Sequence, residues 1–295
     1  MTTASVHSVP LAPPARTSFG LVRRILTSRA VRGGLIMMIA VAAVALIGPF
    51  VAPHGVSEIL GSPYAAPSGE AWLGTDNLGR DVLSRVLFGG RSLIVMSLLA
   101  AVIGTAVGAI LGVTAAYAGG VVDTVLMRIA DVLLAFPAVV LALLVVSMLG
   151  SSEALLVALV ATAHVASVAR VMRGAALPVV NRDFVRWSQS IGLPARRIIF
   201  GDVFPNVASP LMVEFGLRLM WSVGALASLS FLGYGVQPPA ADWGLMVNEN
   251  RNGLSVQPLT VIVPIVGIAL FTVGGNLFAE GVARVMGRTD AEATR

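Results

Sequence analysis

The composition of this 295-residue chain excludes an ordinary soluble globule, because 56% of its residues are hydrophobic and only 12% are charged, against about 25% in a typical soluble domain. The formal net charge is +5, and all twenty basic residues are arginines, which excludes a GxxxxGK[ST] phosphate loop. Cysteine is absent, so disulfides, thiolate nucleophiles and cysteine-ligated metals are excluded as well.

The N-terminal region joins a basic arm to the first apolar segment. Residues 1–32 carry five arginines and no acid, and they predict a flexible arm that stays in the cytoplasm. Residues 33–51 hold no charge at all. Because the hydrophobic region of a signal peptide usually spans about 7 to 15 residues, we predict a retained membrane anchor here.

Six apolar segments predict an all-α membrane protein with six transmembrane helices. Each is long enough, at about 1.5 Å per residue, to cross a hydrocarbon core of about 30 Å. The segments are residues 33–51, 92–116, 132–150, 154–172, about 210–236, and 259–279. This topology puts fifteen arginines on the cytoplasmic side and four outside, which predicts that both termini are cytoplasmic. We therefore expect one transmembrane domain over residues 33–289, followed by a short tail over residues 290–295.

Two polar stretches lie between these segments. The outer one, residues 52–91, contains Asp76, Arg80, Asp81 and Arg85 at i,i+4 spacings, which predicts a surface helix near the membrane plane. The inner one, residues 173–208, is the more informative of the two. Its charged residues stand in an otherwise apolar neighbourhood.

The inner stretch predicts a helix, a glycine turn and a second helix. Asp183 is a preferred N-cap residue for the first helix, and Gly192 suits the left-handed residue that ends it. Pro194 favours the start of the second helix, which we expect to reach about Phe200. Pro205 should end the unit, because proline disfavours helical geometry in the residue before it.

The stretch from Asp183 to Asn206 resembles the EAA loop of ABC importer permeases. Three further motifs narrow the resemblance to the second permease subunit of dipeptide, oligopeptide and nickel importers. They are Leu73–Arg85, Tyr117–Asp131 followed by Phe136-Pro137, and Leu229–Pro239 followed by Trp243-Gly244. The resemblance as a whole spans roughly residues 20–288.

The resemblance implies a type I ABC importer permease fold in the bacterial cytoplasmic membrane. It implies that the chain works with a homologous permease subunit, two ATPase subunits and an extracytoplasmic substrate-binding protein in the lipid bilayer, without nucleic acid. The chain itself is then not an enzyme and holds no cofactor, whereas ATP and magnesium belong to the ATPase subunits. The implied ATPase-coupling residues are Asp183, Arg186, Trp187, Ser188, Gly192, Pro194, Ile198, Phe200 and Pro205.

One departure from the family pattern concerns charge. Arg186-Trp187-Ser188 stands where the family usually has Glu-Ala-Ala. With Asp183 as N-cap, a glutamate at position 186 would complete a capping box, whereas arginine reverses its charge at the positive end of the helix. Two explanations stay open. The ATPase partner supplies an acid for Arg186, or the turn tolerates drift.

Three ionisable residues inside the predicted spans are candidates for a translocation path. Glu214 and Arg218 are four residues apart and can pair on one helical face. They form either a polar patch that meets a zwitterionic peptide or a mutually neutralised pair near the cytoplasmic end of the span. His164 lacks a carboxylate on its own helical face, which favours a hydrogen bond between helices over a proton relay or hydrolysis.

The sequence leaves alternatives to a peptide importer. A nickel or other small-solute ABC importer would share the same motifs. A stand-alone ion-coupled transporter would show internal repeats and more ionisable groups at mid-membrane, and an intramembrane hydrolase would need an acid to orient His164. The three histidines are too dispersed for a local metal motif, so no metal site is predicted.

Overall fold

The computed structural model describes residues 28–293, with side chains to residue 284, as a bundle of α-helices. The helices of eight residues or more are α1 (Arg29–Val51), α2 (Val82–Ala118), α3 (Gly120–Ala135), α4 (Ala138–Leu149), α5 (Glu153–Val180), α6 (Asp183–Ser190), α7 (Ala208–Phe231), α8 (Trp243–Asn250) and α9 (Leu259–Ala293). Within the described residues the only β-structure consists of two isolated bridges. The all-α prediction is therefore confirmed for this part of the chain.

Five helices are long and apolar enough to cross a membrane: α1, α2, α5, α7, and α9 up to Arg284. Helix α1 begins at Arg29, inside the range assigned to the basic arm, whose residues 1–27 lie outside the described part. Helix α2 begins at Val82 rather than at residue 92. At the other end, the backbone of α9 continues into the predicted tail as far as Ala293.

The third predicted span, residues 132–150, is wrong as a single straight helix. Helices α3 and α4 are separated at Phe136 and Pro137 and bent by 79°. Proline has no N–H to donate and pushes the residue before it into an extended conformation, and Phe136 has a ψ of 133°. With only 12 residues, α4 extends about 18 Å, so only the bent pair together could form a sixth span.

Helices α2 and α5 pack closely because glycines spaced by four residues line their contact. The glycines are Gly104, Gly108 and Gly112. A Cβ added at the first would lie 2.6 Å from the Cβ of His164, and one at the second would lie 2.8 Å from the carbonyl oxygen of Val165. One at the third would overlap the carbonyl oxygen of Ala169. Small residues at this spacing let two membrane helices approach each other along their backbones.

The predicted surface helix around Asp76 is wrong, because the four charged residues are buried. Asp76 Oδ2 accepts hydrogen bonds from Arg80 Nε at 2.7 Å and from Arg85 Nη1 at 2.6 Å. Glu249, on α8, accepts from Arg85 Nη1 at 2.7 Å and from Arg80 Nη2 at 3.2 Å. Asp81 instead caps α2 by accepting from the backbone N–H of Ser84. Two cations and two carboxylates thus join the 52–81 segment, the first turn of α2 and α8.

The glycine contact gives a direct test of the packing. We expect Gly112→Val to lower the free energy of unfolding by about 1 to 3 kcal/mol, because the new side chain would overlap the backbone of α5. Thermal unfolding of the purified chain in detergent measures this. Gly174→Val is the matched control, since a Cβ there would meet nothing within 4 Å. Equal losses in the two variants would contradict the packing argument.

Candidate functional site

The segment between α5 and α7, residues 181–207, contains the predicted helix and glycine turn, and we call it the α5–α7 loop. The prediction that Asp183 is the N-cap of α6 is wrong by one residue. Arg182 is the N-cap, with extended geometry and no side-chain capping bond, and its carbonyl oxygen accepts from the N–H of Val185 and Arg186. Asp183 is the first helical residue, where its charge still suits the positive helix end. Arg186 therefore lies beyond the capping-box position.

The glycine turn after α6 is confirmed. Gly192 has a φ of +77°, in the left-handed region that glycine adopts without a steric penalty. Its N–H donates to the carbonyl oxygen of Gln189 at 3.0 Å, and the N–H of Leu193 donates to that of Ser188 at 3.2 Å. This pair of bonds is a Schellman motif. It fixes the direction in which the chain leaves α6.

The predicted stop at Pro205 is wrong, because the second helical stretch continues through it. Ala195–Arg197 begins the stretch, a π-helix follows over Ile198–Val203, and Phe204–Asn206 completes it. Phe204 keeps helical angles of −54° and −46°. The wider π turn accommodates a proline that lacks an N–H. The chain breaks instead at Val207, directly before α7.

The inward side of the loop is anchored to the ends of α2 and α5. Val185, Ile198 and Val203 are fully buried and belong to a hydrophobic cluster with Val113 of α2 and Met172 of α5. Ser188 is also buried, and its hydroxyl donates to Asp202 at 2.9 Å. Two of the predicted coupling residues, Ile198 and Ser188, therefore hold the loop in place rather than face outward.

The outward side of the loop is aromatic and basic. Trp187 is 64% exposed and Phe200 is 52% exposed. Phe200 also stacks on Phe204, with ring centroids 5.3 Å apart. An open groove of about 700 Å³ is lined by Phe200 together with Pro194, Arg196, Arg197 and Gly201. Arg186 lies next to Trp187 and is also exposed.

The three ionisable span residues form one polar chain between α5 and α7. His164 Nε2 lies 2.7 Å from Ser222 Oγ, which donates to the carbonyl oxygen of Arg218 at 2.8 Å. Because Ser222 has one hydroxyl proton and donates it to that carbonyl, the bond from His164 requires a proton on Nε2. The hydrogen bond between helices that we expect of His164 is thus present. Trp221 packs edge-on against the imidazole, with ring centroids 5.1 Å apart.

Glu214 and Arg218 form the predicted i,i+4 pair. Glu214 Oε2 accepts from Arg218 Nε at 3.0 Å and from Nη2 at 2.9 Å. The side chains are 10% and 20% exposed. Glu214 lies in the second turn of α7, close to the α5–α7 loop. The pair therefore satisfies its own charges while leaving one edge of each group accessible.

A cleft at the opposite end of the bundle has no counterpart in the sequence predictions. It encloses about 390 Å³ and is lined by Val56, Phe88, Arg91, Ser92, Val95, Glu153, Ala240 and Ala241. Arg91 and Glu153, both exposed, offer opposite charges to it. Their positions 62 residues apart in sequence gave no signal that they share a cleft.

Behind this cleft, Asp242 is a buried carboxylate at the start of α8. Its Oδ1 accepts from the backbone N–H of Leu245 at 3.1 Å, which caps the helix. Burial raises the pKa of Asp242 to about 6, partly offset by this hydrogen bond and by bonds from Ser230, Gly244 and Ser92. Within the residues described, no group of three or more histidines and acids is placed to hold a metal ion.

Comparison with known proteins gives a consistent match. The binding-protein-dependent transport system inner membrane component family matches residues 104–288. The chain is 35% identical to the glutathione transport system permease protein GsiD of Pectobacterium atrosepticum over 86% of its own length and 84% of that protein. It is 34% identical to the proteins of the same name from Escherichia coli O6:K15:H31 and Shigella sonnei, over 95% of its own length and 94% of theirs.

The His164 hydrogen bond is testable by Ser222→Ala. Removal of the hydroxyl leaves a buried imidazole N–H without its partner, so we expect the free energy of unfolding to fall by about 1 kcal/mol. Ser228→Ala on the same helix is the control, because Ser228 makes the same type of bond, to Gly224, but is exposed. Thermal unfolding in detergent measures the stability of both variants. An equal loss of stability in the two would contradict the role of the His164 hydrogen bond.

The buried Asp242 carboxylate predicts a pH effect on stability. Since its ordinary pKa of 3.8 is raised to about 6, the folded chain holds the proton more tightly. This proton contributes about 3 kcal/mol to the free energy of unfolding. The contribution is fully present below pH 3.8 and is lost as the pH rises through 6. Asp242→Asn should keep the cap and should gain stability relative to the wild type between pH 4 and 7. A constant difference in melting temperature over that range would contradict this.

Proposed function

Because the chain belongs to the binding-protein-dependent transport system inner membrane component family, we propose that it forms half of the translocation path of an ATP-driven importer for short peptides. It is an ABC importer permease of the peptide and oligopeptide group and a multi-pass protein of the inner membrane. Membership in this family implies ATPase and binding-protein partners. We assign it one homologous permease, two ATPase subunits and one extracytoplasmic binding protein.

In our proposal, the free energy for transport comes from ATP hydrolysis in partner subunits and not from this chain. With no lysine in the sequence, the chain has no phosphate loop of the GxxxxGK[ST] type. ATP and magnesium are held by the ATPase subunits. The α5–α7 loop and both termini face the cytoplasm, which agrees with the arginine excess predicted for that side.

The observation that carries the proposal is the shape and attachment of the α5–α7 loop. Its inward side is buried against α2 and α5, so a displacement of the loop is transmitted to both helices. Its outward side presents Trp187 beside a turn fixed by Gly192. A rigid loop with an exposed aromatic anchor is suited to dock into a partner and to move with it.

Peptide substrates are supported by two further observations. The relatives named above are glutathione permeases, and glutathione is a tripeptide. In this chain, Glu214 and Arg218 offer opposite charges on one face of α7, as a zwitterionic peptide requires. His164 is buried, so we assign it to holding α5 against α7 beside the path.

The proposal is tested by uptake into proteoliposomes that contain the chain, its homologous permease, the ATPase subunits and the binding protein. We expect ATP-driven uptake of labelled glutathione or a dipeptide, but not of chelated nickel. Trp187→Ala should reduce uptake by about tenfold or more, because an exposed aromatic anchor carries much of a docking interface. Phe50→Ala, which removes an exposed aromatic ring from α1, is the control.

Three results would contradict the proposal. Uptake without the ATPase subunits would identify an ion-coupled carrier. Uptake of chelated nickel without any uptake of glutathione or the dipeptide would exclude peptides as the substrate class. Normal uptake by Trp187→Ala would exclude the α5–α7 loop as the coupling element.

A further inference from the structure

The outward side of the α5–α7 loop carries positive charge that no acid among the described side chains neutralises by an ion pair. Four arginines lie on it: Arg182, Arg186, Arg196 and Arg197. Within residues 28–284, none of them has a carboxylate oxygen within 4 Å. By contrast, arginines elsewhere in the bundle have acidic partners, namely Arg80, Arg85, Arg170, Arg173 and Arg218.

The two acids of the loop are engaged within the loop itself. Asp202 accepts a hydrogen bond from the hydroxyl group of Ser188, and this bond holds the second helical stretch against α6. Asp183 occupies the first turn of α6, where its charge interacts favourably with the helix N-terminus. The four arginines outnumber these two aspartates, so the loop carries a net positive charge.

Apolar groups are placed between these arginines. Trp187 follows Arg186 directly, and Phe200 lies in the groove that Arg196 and Arg197 line. Aromatic and arginine side chains dominate the binding energy of protein interfaces. The pattern is therefore that of a docking surface with aromatic anchors and a basic rim.

We propose that the groove of the ATPase subunit that receives this loop carries carboxylates on its rim, facing Arg186, Arg196 and Arg197. This inference rests on the proposed function and adds the chemistry of the partner surface. The planar guanidinium group pairs with a carboxylate through two parallel hydrogen bonds, which gives geometric specificity as well as attraction. Because Arg186 replaces the glutamate of the family pattern, the surface also disfavours an ATPase built to receive an acidic helix.

Anionic lipid headgroups are a different occupant for a basic surface at a membrane. The loop favours a protein partner because its arginines surround ordered aromatic side chains and a fixed turn, whereas polybasic segments bind lipid through charge without a defined shape. The experiment below distinguishes lipid binding from ATPase binding.

The test measures ATPase binding to the permease pair in nanodiscs of neutral phosphatidylcholine, over a series of NaCl concentrations. For the wild type we expect affinity to fall by about tenfold or more between 50 and 500 mM NaCl, as screening removes the attraction. For the triple variant Arg186→Glu, Arg196→Glu, Arg197→Glu we expect at least about tenfold weaker binding at 50 mM. The residual affinity of this variant should rise with salt, because screening weakens the repulsion between the new glutamates and the carboxylates of the ATPase.

Arg251→Glu is the matched control for Arg186→Glu. It makes the same change of charge at an exposed arginine near the start of α9, at the opposite end of the bundle. Its affinity and salt dependence should equal those of the wild type. Arg186→Glu alone should weaken binding at low salt.

The outcomes separate this inference from the proposed function. Wild-type affinity that is independent of salt, or Arg186→Glu binding as tight as wild type, would overturn the inference. The proposed function would still stand if Trp187→Ala abolished binding, and it would fail if Trp187→Ala bound normally. Salt dependence that appears only in nanodiscs with anionic lipid would identify the headgroups as the occupant and would also overturn the inference.

Discussion

The close approach of α2 and α5 is the contact on which the rest of the molecule depends. Apolar side chains gain little by leaving lipid for the interior of a helix bundle, so close packing must hold the helices together. Three glycines of α2 allow that packing, and they lie against His164 and the residues after it. The same two helices end in the hydrophobic cluster that anchors the α5–α7 loop. One interface therefore sets the position of the polar chain within the bundle and of the loop at its end.

Charge is distributed in two distinct ways along the chain. Inside the bundle, the buried arginines are paired with carboxylates, as in the network of Asp76, Arg80, Arg85 and Glu249 and in the Glu214–Arg218 pair. Burial of an unpaired charge is costly, which explains this pairing. On the α5–α7 loop the arginines are exposed instead. Water can solvate them there until a partner surface replaces it, so the exposed charge is compatible with stability and available for recognition.

The sequence predicted features that depend on local chemistry. Length and hydropathy identified α1, α2, α5, α7 and α9, because each crossing is one continuous apolar segment, and Gly192 was identified because a left-handed residue favours glycine. Features that depend on distant residues were missed. One of the two carboxylate partners of Arg85 is Glu249, 164 residues away, whereas the i,i+4 spacing around Asp76 predicts a surface helix from local residues alone. Pro205 predicts a stop from local chemistry, whereas the π turn that accommodates this proline leaves no mark in the sequence.

Because the chain contains no cysteine, a single thiol introduced by Gln189→Cys reports on the exposed surface of α6 alone. We predict that a membrane-impermeant maleimide labels this thiol in inverted membrane vesicles but not in right-side-out vesicles. Addition of the ATPase subunits should protect it from labelling. Labelling from the outside, or labelling at an unchanged rate with the ATPase bound, would contradict the assignment of the α5–α7 loop as the link between the ATPase and the transmembrane helices.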